Sequence, residues 1–121
     1  MDTDWTDAAE SIAGYKFKNH ALLEQALSHS SAVDQRCESN ERLEFLGDAV
    51  LGFVVSSETY DRYPEFEEGD MTKVKSSVVS RKICAEIADG LDIARLLRVG
   101  KGMNSQKEIP SSVTGAAYEA L

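Results

Sequence analysis

The chain has little of what staples, anchors or stiffens a protein. Only two of its 121 residues are cysteine, Cys37 and Cys84. They lack the close spacing of a metal knuckle and read as a reduced intracellular pair without chemistry, which excludes a disulfide scaffold. No apolar run approaches the ~20 residues that a membrane-spanning helix needs. The opening Met1-Asp2-Thr3-Asp4-Trp5 lacks the charged-then-apolar layout of a secretion signal, so a cytoplasmic protein with no membrane partner is expected. Proline occurs twice and hydrophobic residues make up 42%, which places the chain among globular rather than disordered sequences. Its length suffices for one domain and is too short for two.

Positive charge is also scarce. Thirteen Lys and Arg face 21 Asp and Glu, a net −8, and this counts at first against a nucleic-acid partner. The distribution softens the objection. From Lys73 to Lys107 eight basic residues face three acidic ones, so this stretch carries +5 and the rest −13. A phosphate-gripping half beside a metal-collecting half fits that asymmetry, and so does a merely dipolar surface.

Apolar spacing is helical almost throughout, and no segment alternates convincingly as a strand or repeats. The fold class expected is all-α. Ala21, Leu22, Leu23, Ala26 and Leu27 form one amphipathic helix ending near Ser28-His29-Ser30, with His29 read as a packing histidine. A second helix is capped by Ser39 or Asn40 and runs to about Arg62, where Tyr63-Pro64 stops it. Asp70 is placed as the N-cap of a helix from Met71 to about Ala88, ended by Gly90. Leu91 to Leu97 reads as a short helix, Val99 to Pro110 as a polar loop, and a last helix starts near Ser111 or Ser112.

The most informative stretch is Asn40-Glu41-Arg42-Leu43-Glu44-Phe45-Leu46-Gly47-Asp48. At about 100° per residue, Leu46, Gly47, Val50, Leu51 and Val54 fall within roughly 80° of Leu43 and read as a buried stripe. Glu44, Asp48 and Glu41 fall at roughly 100°, 140° and 160° on the same wheel. Like charges at i,i+4 repel, so the Glu44–Asp48 pair invites a cation between its members, and a divalent metal suits the oxygen donors. Spacing alone leaves a metal site and a solvated acidic face equally open. Phe45, near 200° and opposite the stripe, reads as a contact for a partner subunit or as a stray aromatic.

These residues, continued through Ala49-Val50-Leu51, resemble the signature of ribonuclease III, the double-strand-specific endoribonuclease. Gly14 to Phe17, Leu22 to Ser30, Tyr63-Pro64, Glu68 to Thr72, Val99 to Gly102 and Ser112 to Leu121 resemble further blocks of the family in order. The resemblance covers residues 12–121 and implies an N-terminal extension over 1–11 ahead of an endonuclease domain. It also implies that the domain is cut short at Leu121, inside an apolar helical run, with no double-stranded-RNA-binding domain following. In that family four carboxylates hold catalytic Mg²⁺. Carried over, Glu44, Asp48 and Glu119 are metal ligands, Glu41 and Glu68 are supporting acids, and Phe45 is a dimer contact. The remaining ligand position is held by Ala116, which cannot ligate.

The resemblance therefore implies a homodimer that hydrolyses double-stranded RNA, as in rRNA or mRNA processing, with Mn²⁺ able to replace Mg²⁺ and activity impaired by Ala116. The alternative it leaves is a catalytically silent module that binds RNA or only dimerises.

Overall fold

The computed structural model of the protein describes residues 3–100 and 109–121. Among the described residues six α-helices follow one another: α1 (Thr3–Ala13), α2 (His20–Ala26), α3 (Glu41–Arg62), α4 (Glu68–Val78), α5 (Arg81–Gly90) and α6 (Ser111–Ala120). Three short 3₁₀ turns, Ser30–Ala32, Arg36–Glu38 and Ile93–Leu96, join them. Among the described residues the only β pairing is a single bridge between Ser28 and Arg98, so the fold is all-α as expected. The loop expected over Val99 to Pro110 lies largely outside the described residues.

The core gathers Ala9, Leu23, Leu27, Ala88, Ile93, Leu96 and Ala117. Leu23, Leu27 and Ile93 are almost fully buried, and each large aliphatic side chain so placed contributes roughly 1.5–3 kcal/mol. The boundary drawn after residue 11 falls inside α1. That helix buries Ala9 completely, and the indole N–H of Trp5 donates to the Leu96 carbonyl at 3.1 Å. Residues ahead of 12 therefore help to form the core.

Helix α3 corrects the expected buried stripe. Leu46, Val50 and Val54 are 59%, 54% and 53% exposed, while Gly52 and Thr59 are buried. Helix α3 instead turns Gly52 toward Lys75 of α4 and Gly47, one member of the stripe, toward α6. Gly47 makes the contact with α6 close: a Cβ at this position would stand 1.6 Å from the Glu119 carbonyl oxygen. The start of α3 is held by Ser39, whose hydroxyl accepts from the Glu41 N–H at 3.3 Å. Asn40 instead donates its side-chain N–H to the Ala26 carbonyl at 3.3 Å and ties α3 to α2.

The single helix expected from Met71 to Ala88 is two. Helix α4 begins at Glu68, with Glu67 as N-cap and Asp70 completing a capping box rather than acting as the cap. The Asp70 carboxylate accepts from the Glu67 N–H at 3.1 Å. The chain breaks at Val79 and restarts when the Ser80 hydroxyl accepts from the Ile83 N–H at 3.2 Å. Helix α5 does end at Gly90, but the left-handed residue that turns the chain is Asp92, at φ 56°. The helix expected over Leu91 to Leu97 is the 3₁₀ turn Ile93–Leu96.

Candidate active site

A cleft of about 430 Å³ opens where the first turns of α3 and α5 meet α6. Glu41 and Glu44 reach it from α3, and Glu119 from the last turn of α6. Arg81 and Lys82 line it from the first turn of α5, and His29, Ser111 and Ser112 complete the rim. Ala85, Gly115 and Ala116 also line it. Gly115 lets α6 approach α5, since a Cβ there would stand 3.4 Å from the Ala85 backbone nitrogen.

The acids interact with one another. Burial raises the carboxyl of Glu44 above its usual range, and Glu41 and then Asp48 raise it further, against a downward pull from Arg81. Burial likewise raises Glu119, helped by Asp48 and Glu44. Asp48, one turn after Glu44, thus faces both glutamates although it does not line the cleft itself. Glu44 and Glu119, whose affinity for protons is raised by burial and by their acidic neighbours, sit where any other cation is also favoured. Their oxygen donors suit a hard divalent ion such as Mg²⁺. Among the described residues no three His, Cys, Asp or Glu side chains are gathered as a ready cage for a metal ion. The donor chemistry fits such an ion, and binding would draw the side chains inward.

The remaining expected site residues are placed as follows. Glu41 lines the cleft but is already engaged: the Arg36 Nε–H is shared by its two carboxylate oxygens at 2.9 and 2.8 Å. Glu68 is exposed in the first turn of α4 and does not line the cleft. Ala116 does line it, so an aspartate there would add its charge to the same space. Phe45 lies outside the cleft and is 81% exposed.

Sequence reasoning gave no role in the site to three features in or beside the cleft. Arg81 and Lys82 counted only as members of a basic stretch; the Ser80 cap is the signal that puts them in a first turn. Cys84, read as inert, is buried beside Glu119, and burial followed by the Glu119 charge pushes its thiol up to about 11. His29 keeps the role of a hydrogen-bonded histidine, since its Nδ1 accepts from the Ser31 N–H at 3.2 Å. It also lines the cleft.

Comparison with known proteins gives the family. A family model described as ribonuclease-III-like matches residues 19–121. Ribonuclease 3 of Rhodopirellula baltica is 44% identical over 115 residues, covering 95% of this chain and 43% of that protein. Ribonuclease 3 of Symbiobacterium thermophilum is 41% identical over 110 residues, covering 89% and 47%. The chain thus spans about half the length of the curated relatives it matches. Two structures of the nuclease domain of ribonuclease III from Campylobacter jejuni each superpose with a TM-score of 0.87. They are 34% and 33% identical, covering 94% and 99% of this chain and 79% and 80% of theirs. One of them displays structural flexibility in a region involved in dimer formation. With the signature helix, the acid-lined cleft and the all-α architecture in agreement, the chain belongs to the ribonuclease-III-like family.

Proposed function

We propose that the protein is an endoribonuclease that hydrolyses phosphodiesters of double-stranded RNA with the help of a divalent metal, as a homodimer in the cytoplasm. The observation that carries this reading is the convergence of Glu44, Asp48 and Glu119 from two helices packed against each other, with two of the three raised in pKa. Glu44, Asp48 and Glu119 would hold Mg²⁺, or Mn²⁺ in its place. Bound there, the ion would supply Lewis acidity to the phosphoryl group and lower the pKa of an attacking water. The protein's own part is to fix the donors on rigid helices and to seat the RNA backbone. Glu41, clamped by Arg36, and Glu68, on the neighbouring helix, act as supporting acids near the substrate. Duplex RNA is recognised mainly through shape, phosphates and 2′-hydroxyls, so sequence selectivity should be weak. Processing of rRNA and mRNA precursors, which contain duplex segments, is the corresponding role.

Ala116 supports a second reading, a catalytically silent duplex-RNA-binding module, because it removes a charge from the cleft wall. Cleavage of an end-labelled RNA duplex, titrated with Mg²⁺ and compared with Ala116→Asp, separates the two. The enzyme reading expects cleavage by both, with the parent requiring more Mg²⁺ and gaining from Mn²⁺. Cleavage by the variant alone means a nuclease scaffold that has lost a ligand. Binding without cleavage by either establishes the silent module, and equal cleavage at low Mg²⁺ removes Ala116 as an impairment.

A further inference from the structure

The cleft has two chemically different walls, and only the acidic one is accounted for by metal binding. On the other wall Arg81 and Lys82 stand side by side in the first turn of α5, both exposed. This is an unfavourable place for cations, because the dipole of a helix repels positive charge at its N-terminus. The first turn of α5 holds no acid to offset them. Four other arginines, Arg36, Arg62, Arg95 and Arg98, are paired with carboxylates. Arg81 has no such pair among the described residues, although it is near enough to pull the Glu44 titration downward. A local conflict that the fold leaves unrelieved points to a functional demand.

His29 lines the same cleft from beside the start of α3, where the Asn40 N–H donates to the Ser28 carbonyl at 2.9 Å. The Gly100 N–H donates to the Ser31 hydroxyl oxygen at 2.8 Å. That oxygen lies 2.8 Å from the His29 Nδ1, which also accepts from the Ser31 N–H. With Nδ1 accepting, Nε2 is the ring nitrogen left to carry an N–H, and it has no partner among the described residues. Ser111 and Ser112 bring hydroxyls to the rim.

Resting on the nuclease reading, we infer that Arg81, Lys82 and His29 form a phosphate-binding wall that seats the RNA backbone against the carboxylates of Glu44 and Glu119. Arg81 is its anchor, because a guanidinium meets two phosphate oxygens in a fixed fork. Lys82 supplies a point charge, and His29 an N–H donor. All three are positioning residues: they hold the substrate and donate no proton to it.

The test is equilibrium binding of a labelled RNA duplex to the full chain, with Ca²⁺ in place of Mg²⁺, across a potassium chloride series. The variants are Arg81→Gln, Lys82→Gln and, as a control outside the cleft, Arg62→Gln. Arg81→Gln and Lys82→Gln should each weaken binding about 5–10-fold and lower the slope of log affinity against log salt by about one phosphate contact. Arg62→Gln should change neither. Thermal melts of Arg81→Gln and Lys82→Gln should show no loss of stability, since both side chains are exposed and their removal relieves the helix dipole, so weaker binding is not unfolding. Binding by Arg81→Gln and Lys82→Gln that matches Arg62→Gln overturns the phosphate wall and leaves the nuclease reading standing. A parent chain that fails to bind duplex RNA overturns both.

Discussion

At the scale of single residues, Glu44 and Glu119 are groups the fold tolerates at a cost. Both carboxyls are raised, first by burial and then by neighbouring acids. A raised folded value means that the folded state holds the proton more tightly than the unfolded chain, whose carboxyl titrates near ~4.3. Stability therefore falls as pH rises from that value through the raised folded one, and the acids oppose folding above the window. Glu44→Gln should raise the melting temperature at pH 7.5 by about 1–3 °C, the size of a relieved like-charge pair. The gain should fade as pH falls to about 4 and below, where the parent's Glu44 is protonated and as uncharged as the glutamine, as differential scanning calorimetry can show. A lower melting temperature for Glu44→Gln at pH 7.5 means that the acids do not strain one another. The thiols provide a second check. Cys37 is exposed and Cys84 is buried, with its thiol raised to about 11. Ellman's reagent at pH 8 should titrate one thiol in the native protein and two after unfolding; two rapid native thiols would place Cys84 outside the α5–α6 contact.

Between residues, the helices are set by close approaches and caps more than by large side chains. Gly47 is the tightest, because its hydrogen stands where any Cβ would meet the backbone of Glu119. Gly47→Ala should destabilise by on the order of 3 kcal/mol or push α6 away, carrying Glu119 with it. A urea midpoint indistinguishable from the parent's would show that α3 and α6 do not touch in this way. Ser80 is a milder case. Its hydroxyl caps α5, and Ser80→Ala should cost about 1 kcal/mol, with Ser80→Gly costing less. These elements also show how far the sequence is readable. The bounds of α2, α3 and α6 follow, to within a residue or two, from apolar spacing and caps, whereas the family is read from the resemblance of residues 40–51 to its signature. The α4–α5 break was not legible because the apolar spacing continues through Val78 and Ile83 without a glycine or proline to interrupt it. The pairing of Glu41 with Arg36 was hidden for another reason: it depends on the 3₁₀ turn Arg36–Glu38, which has no period to detect. Nor does any residue rule say that Glu68 and the cleft lie apart, since that depends on how α4 is angled against α3.

For the whole molecule, the error over the α3 stripe carries the most information. The wheel finds an apolar face correctly, and a lone domain should bury it, yet Leu46, Val50, Phe53 and Val54 all remain more than half exposed. Phe45 and Tyr60, 81% and 71% exposed, carry the apolar exposure of α3 round from the stripe toward its opposite face. Monomeric proteins rarely leave a contiguous apolar patch of this kind in water. Two facing copies would bury it with the self-complementary contacts of a two-fold dimer, and Phe45 has the size and exposure of an anchor residue. The acid-lined cleft begins on the same helix, so pairing through α3 would set two clefts at a fixed separation, as a duplex with two strands requires. Phe45→Glu should therefore shift the chain from dimer to monomer, weakening association at least about 100-fold through a buried unpaired charge. Sedimentation equilibrium reads that shift directly. Duplex cleavage should fall with it while the helical content by circular dichroism is unchanged, because Phe45 supports nothing inside one subunit. A parent chain that is monomeric at high concentration, or a Phe45→Glu variant that still dimerises, would mean that some other segment covers α3.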